Sequence, residues 1–266
     1  EAVTFYKNVF ENVKITSENP MVVLFEINGT KFMGLNGGPQ FKPNPAISYF
    51  IYCEGKAEMQ EQIYEKLKEG GQVLIPMGKY EWSAKYAFVQ DQFGVSWQLD
   101  IDKTNTLQKV VPALLFVIDQ NKKVKEAVDF YTTVFKDSKQ IVNFPFPAES
   151  DFPEGTLLFA QFSINGFILN AMSGNKSKHA FDFSEGNSFV IECETQAEID
   201  YYWYTFSQSG TESMCGWVKD QYGVWWQVVP SILKALMSSP EQQQVIDAFM
   251  KMKKFDIATL KKAAGQ

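Results

Sequence analysis

The sequence predicts an α+β protein made of two tandem copies of one domain, each copy built from two βαβββ units, and three recurrences lead there. The octet DQFGVSWQ at residues 91–98 returns as DQYGVWWQ at 220–227, with six of eight positions identical. EAVTFYKNVF (1–10) returns as EAVDFYTTVF (126–135), with seven of ten identical. FEING (25–29) and SYFIYCE (48–54) return, in the same order, as FSING (162–166) and SFVIECE (188–194), as a duplicated domain requires. The copies differ in length between these anchors, and such changes belong in loops.

Taken in order, the anchors read as alternating helices and strands. In EAVTFYKNVF, Val3, Tyr6, Val9 and Phe10 fall on one helical face, and Val128, Tyr131, Val134 and Phe135 repeat it. MVVLFEINGTKFMGL and LLFAQFSINGFILNA each set Asn-Gly between two β-rich runs, a hairpin signal because both turn residues must accept positive φ; the turns are Asn28-Gly29 and Asn165-Gly166. The strands carrying Cys53 and Cys193 follow, then the helices EMQEQIYEKLKEGG and TQAEIDYYWYTFSQSG, closed by Gly70-Gly71 and by Gly210 at C′. Further strands and the octet complete each copy. VPALLFVIDQNKKVK supplies a strand and loop before the second copy's helix, whereas residue 1 already begins a helix, so the first copy is expected to lack its original first strand. After the second octet, Ser239-Pro240-Glu241-Gln242 reads as a capping box opening a helix striped by Val245, Ile246, Phe249 and Met250. The expected boundaries are 1–105 and 106–230 for the two domains and 231–266 for a helical tail.

Composition limits what such a protein can do. With 25 basic against 31 acidic residues the net charge is −6, and no Lys/Arg stripe stands out, which argues against nucleic acid or an anionic membrane as partner. The apolar run VVPALLFVI is well short of the ~20 residues of a membrane span, and no secretory signal is visible. Three cysteines (Cys53, Cys193 and Cys215) without a CxxC fit a reducing compartment, so a cytoplasmic protein is expected. The load of 23 Phe, 11 Tyr and 6 Trp must pack a core or line a cleft.

The helix EAVxFYxxVF, the hairpin FxING, the segment CGWVKDQYGVWWQVVP (215–230) and the tail MKMKKFDIATLKKA (251–264) together resemble the PhnB-like branch of the vicinal oxygen chelate superfamily. That superfamily includes glyoxalase I, bleomycin and fosfomycin resistance proteins and extradiol dioxygenases, and members of this branch are often labelled 3-demethylubiquinone-9 3-methyltransferase. The resemblance implies glyoxalase-like domains, each a curved mixed sheet with helices outside. It also implies a divalent metal in a sheet-lined cleft, with ligands on the first strand, on the strand opening the second unit and on the last strand. At the middle strand this sequence offers Ser48 and Ser188, and at the last strand Gln98 and Gln227, in place of His and Glu. Hydroxyl and amide oxygens bind transition metals weakly, so no cofactor is expected and a divalent metal is disfavoured. The single histidine, His179, reads as a loop residue.

A methyl donor would need a Gly-rich turn opening a helix, and GLNGG (34–38) instead runs into prolines 39, 43 and 45, which marks a loop. Cys53 and Cys193 read as buried small side chains, and Cys215 as structural. Strand alternation places Ser96, Gln98 and Asp100 on one face of the first octet strand, and Trp225, Gln227 and Val229 on one face of the second. An indole at Trp225 should crowd its cleft and leave the Gln98 cleft the roomier. The expected function is binding of a small organic molecule in a cleft formed by Ser48, Ser96, Gln98, Ser188, Trp225 and Gln227, without a competent metal site. The alternative is an enzyme of the same superfamily, a metal-dependent lyase or dioxygenase or the labelled methyltransferase. Pairing of the copies within one chain is expected in place of a homodimer.

Overall fold

The computed structural model describes residues 1–104, 106–174 and 179–266 and divides the chain into two compact units, Glu1–Asp182 and Phe183–Gln266. Part of the loop leading to His179, residues 175–178, therefore lies outside the described residues.

The first unit opens with α1 (Ala2–Val9), followed by a meander of β1 (Val13–Glu18), β2 (Val22–Ile27) and β3 (Thr30–Leu35). Next come β4 (Ile47–Tyr52), α2 (Ala57–Lys68), β5 (Gln72–Tyr80), β6 (Ser83–Gln90) and β7 (Ser96–Asp100). Then β8 (Val110–Phe116), α3 (Val124–Val134), β9 (Lys139–Pro145), β10 (Leu157–Ile164) and β11 (Phe167–Ser173) complete it. Eight of these strands form one curved mixed sheet in the order β5-β6-β7-β4-β8-β11-β10-β9. The sheet joins the second βαβββ unit of the first copy to the first βαβββ unit of the second copy, with β4 and β8 antiparallel at the seam and Ser48 opposite Ala113. Consecutive elements tend to neighbour one another in space, and the short link from β7 to β8 delivers the second copy's first strand to the free edge of β4.

The second unit holds β12 (Phe189–Cys193), α4 (Gln196–Ser207), β13 (Thr211–Glu212), β14 (Trp217–Lys219) and β15 (Trp225–Pro230), with sheet order β12-β15-β14-β13. Its tail adds α5 (Leu233–Leu236), α6 (Gln242–Phe249) and α7 (Ile257–Ala263). The strand orders repeat between the copies, because β1-β2-β3 matches β9-β10-β11 and β4 to β7 match β12 to β15 in neighbour order. The tandem reading therefore holds at the level of topology.

Local chemistry explains most elements. Both Asn-Gly turns have positive φ at each residue (Asn28 49°, Gly29 81°; Asn165 46°, Gly166 74°), the mirror-image turn that matches strand twist. The apolar stripes of α1 and α3 bury Tyr6, Val9 and Phe10, and Val128, Tyr131, Val134 and Phe135. Gly70 takes the left-handed C′ conformation after α2 as expected. Gly210 does not. It corresponds to Gly71, and both are glycine because of close approach: a Cβ at Gly210 would lie 1.9 Å from the Lys219 carbonyl oxygen, and one at Gly71 2.4 Å from that of Gln90. The expected capping box at Ser239 does not form either; α6 starts at Gln242 with Glu241 as an uncapped N-cap, and Met250 of its stripe is exposed. A capping box exists instead at Thr195–Glu198, opening α4.

The repeated octet is explained by a buried clasp. Asp91 accepts hydrogen bonds from the amides of Phe93 (2.8 Å) and Val95 (3.1 Å), from Trp97 Nε1 (2.9 Å) and from the Tyr6 hydroxyl (3.0 Å). Asp220 repeats it with the amides of Tyr222 (2.9 Å) and Val224 (3.0 Å) and Trp226 Nε1 (2.8 Å). Gly94 and Gly223, at φ of 85° and 89°, let the chain turn inside each clasp. The clasp also fixes strand phase. Trp97 packs on Tyr6 and Phe10 beside α1, and Trp226 stacks on Phe206 of α4 at 4.9 Å, so the residues on either side of each indole point to the opposite face.

Candidate functional site

Opposite the helices, the eight-stranded sheet carries a second apolar cluster, with Phe50, Tyr86, Phe88, Val111 and Ala113 at its centre and Leu74, Ile75, Tyr80 and Met172 packed against it. Set into it is a short polar chain. The Tyr86 hydroxyl donates to Gln98 Oε1, and Gln98 Nε2 donates to Ser48 Oγ at 2.7 Å with Met172 Sδ at 3.9 Å. Ser96 is the register partner of Ser48 on the adjacent parallel strand, and its hydroxyl is buried with no hydrogen-bond partner among the described residues. Three predicted site residues thus meet in the first unit. Tyr86 is a fourth member that sequence reasoning missed, although period-two alternation through SAKYAFVQ places it on the same face as Phe88, the register partner of Gln98.

In the second unit Gln227 Nε2 donates to Ser188 Oγ at 2.9 Å, repeating the Gln98–Ser48 bond. Trp225 takes the place of Ser96, edge-on to Trp217 at 6.2 Å and with Lys219 Nζ 5.6 Å from its ring centre. The position matching Tyr86 is Cys215, whose thiol turns instead to the Phe249 carbonyl at 3.8 Å. The second Gln therefore lacks the phenol donor.

The two faces differ in burial. Ser48 and Ser96 are 0 % exposed and Gln98 is 2 % exposed, whereas Ser188 is half-buried and Val190 on its strand is 42 % exposed. Phe50, Tyr86 and Phe88, themselves buried, pack in one apolar cluster on the first face.

The donor set does not fit a transition metal. Gln98 already spends its oxygen on Tyr86 and turns its amide nitrogen, which cannot ligate, toward Ser48. Among the described residues no group of three or more His, Cys, Asp or Glu converges. The one carboxylate on this face of β7, Asp100, accepts from Ser83 Oγ (2.7 Å) and the Asp102 amide (3.1 Å), and burial raises its pKa. A carboxyl that holds its proton more tightly when folded lowers stability at neutral pH, and that cost disappears as pH falls through its raised pKa. Asp100→Asn keeps the accepting oxygen and removes the charge, so it should raise the melting temperature at pH 7 and lose this advantage near pH 4. Thermal unfolding of both proteins across that range checks the sign.

The cysteines are similarly constrained. Burial pushes the thiols of Cys53 and Cys193 up to about 12, each pointing to a strand carbonyl, while Cys215 is half-buried. Alkylation of native protein at pH 8 followed by peptide mass spectrometry should label Cys215 alone, with the other two reacting only on unfolding. His179, half-buried, lies against Phe181 with ring centres 5.1 Å apart.

Comparison with known proteins places these features in context. The family model described as 3-demethylubiquinone-9 3-methyltransferase matches residues 1–100 and 108–229. A Bacillus cereus structure described as a putative 3-demethylubiquinone-9 3-methyltransferase, PhnB protein, is 30% identical over 47% of this chain and 100% of its own, with a TM-score of 0.43. Glyoxalase I from Zea mays is similar over 89% of this chain and 90% of its own, at 14% identity and a TM-score of 0.58, a likeness of fold. No curated protein matches the chain. Among the described residues no helix is long and apolar enough to cross a membrane.

Proposed function

Because the chain belongs to the family described as 3-demethylubiquinone-9 3-methyltransferase, in the PhnB-like branch of the vicinal oxygen chelate superfamily, we propose that it keeps the superfamily's sheet-lined site as a binding site for a small organic molecule and has lost the metal from it. The observation that carries this reading is the Tyr86–Gln98–Ser48 chain with the unpartnered Ser96 hydroxyl beside it, at the centre of an otherwise apolar concave face. A buried polar group without a partner costs about 1–3 kcal/mol, and a core that needed only packing would place an apolar side chain there. The second copy does so, with Trp225 at the equivalent position.

The residues at the metal-ligand positions support binding without a metal, since neither a hydroxyl nor an engaged amide competes with His or carboxylate for zinc, iron or manganese. Methyl transfer finds no support in the fold, because GLNGG runs out of β3 into a loop and opens no helix. Strands of both copies share the eight-stranded sheet, which supports pairing of the copies within the chain in place of a homodimer.

The test is elemental analysis and denaturing mass spectrometry of the same untagged protein purified from cells. The reading expects substoichiometric zinc, manganese, iron and nickel together with a released organic molecule. A near-stoichiometric metal that Gln98→Ala removes would establish the alternative, a metal-dependent enzyme.

A further inference from the structure

We propose that the first-copy site selects an uncharged molecule with a flat apolar body and an oxygen acceptor, such as a carbonyl, received by the paired hydroxyls of Ser48 and Ser96. This deepens the binding reading above and rests on it. The argument begins with hydrogen-bond accounting. Ser48 Oγ accepts from Gln98 Nε2, which leaves its own hydrogen to give. Ser96 Oγ has neither donor nor acceptor among the described residues and is shielded from bulk solvent, at 0 % exposure. The two residues are register partners on adjacent parallel strands, so both hydroxyls lie side by side on one face, and an oxygen placed between them can accept from both.

Charge is selected against. The polar atoms that meet there are an amide, two hydroxyls, a phenol and a thioether, all neutral. Burying an ion without a counterion is far costlier than burying a hydrogen-bonded carbonyl. Asp100, two residues along the same strand face, would repel an anion, and its carboxylate is already engaged by Ser83 Oγ and the Asp102 amide rather than offered to a cation. The flat body follows from the walls, where the rings of Phe50 and Tyr86 flank the network and Phe88 lies across from Gln98. Leu74, Ile75, Tyr80 and Met172 pack against the cluster and are only half-buried, so a ligand could be admitted by side-chain rearrangement without parting strands. Trp82, 60 % exposed, stacks on Tyr80 and meets Tyr86 edge-on at 5.7 Å, which places a fluorescent reporter beside the phenol of the network.

The copies provide an internal contrast. Trp225 fills the position of Ser96 in the second copy, so the octet's structure does not require a hydroxyl there. What the octet requires is the Asp–Trp clasp, present in both.

The experiment titrates ligand-stripped protein with acetophenone, toluene, benzoate and benzylamine, reading heat and the Trp82 emission isolated by difference with Trp82→Phe. Acetophenone is expected to bind tightest, and Ser96→Ala to weaken it about fivefold to tenfold, the worth of one hydrogen bond, while leaving toluene unchanged. Unliganded Ser96→Ala should melt at the same temperature or higher, since it removes an unsatisfied group. Unchanged acetophenone affinity in Ser96→Ala, tighter binding of benzoate or benzylamine, or no binding of any of the four would each overturn the class assignment. So would a lower melting temperature, which would mean that a structural water satisfies the hydroxyl. Release of a charged organic molecule from cell-derived protein would overturn the class while leaving the binding reading intact. Release of none, with a stoichiometric metal present, would overturn both.

Discussion

Asp91→Ala should lower the stability of the first unit by about 2–4 kcal/mol, the loss of its hydrogen bonds outweighing the relief of a buried charge whose pKa burial raises, and Asp220→Ala should likewise destabilise the second. Asp91 is 3 % exposed and accepts four hydrogen bonds, so its removal strands two amides, an indole N–H and a phenol away from water. Each such donor costs about 1–3 kcal/mol, reduced by whatever relaxation or water entry the site permits. Asp91→Asn is expected to fall between the two proteins. It retains an oxygen for the Phe93 and Val95 amides but turns an NH2 toward the Trp97 N–H, donor against donor. Urea unfolding followed by tryptophan emission reads the effect, with Lys42→Ala on the surface as a control expected within about 0.5 kcal/mol. A loss below about 1 kcal/mol for Asp91→Ala would mean that the octet is repeated for some reason other than this clasp.

Gly210→Ala should be at least as damaging to the second unit. Its Cβ would lie 1.9 Å from the Lys219 carbonyl oxygen and 2.5 Å from that of Phe206, both backbone atoms that no rotamer change can move. Overpacking commonly costs about 1–3 kcal/mol, and more when only backbone can yield, so β14 must separate from the end of α4. Gly29→Ala is the informative comparison: nothing lies within 4 Å of its Cβ, and its cost is the left-handed conformation alone, about 1–2 kcal/mol. Circular dichroism melting should show Gly210→Ala broadened and lowered well beyond Gly29→Ala. Equal, small shifts would contradict the close approach.

How far the sequence anticipates this structure follows from the range of the interactions involved. Local rules place the Asn-Gly turns, the buried stripes of α1 and α3, and the phase of β7 and β15, because each depends on neighbours within a few residues. Ser48, Gln98, Ser188 and Gln227 are legible as site positions through the family resemblance, but the hydrogen bonds that pair them are not. The seam between β4 and β8 is not, because either copy could have closed its sheet within itself and no local signal distinguishes the two. The depth at which Ser48, Ser96 and Gln98 are buried is not legible either. Comparing Ser96 with Trp225 counts one side chain, whereas burial depends on Phe50, Tyr86 and Phe88 arriving from two other strands. The missing capping box at Ser239 shows the converse limit, where a good local signature yields to a helix that begins at Gln242.

The central claim is that the first-copy face, with ligand positions held by Ser48 and Gln98, takes an organic molecule rather than a metal. A crystal structure of protein taken directly from cells, without added ligand, tests it most directly. The account predicts continuous non-protein density of a small organic molecule against Phe50, Phe88 and Tyr86, with an oxygen within hydrogen-bonding distance of Ser96 Oγ. An anomalous peak of a transition metal coordinated by Gln98 would contradict it, as would a face that holds no organic molecule and only a single water bound to Ser96.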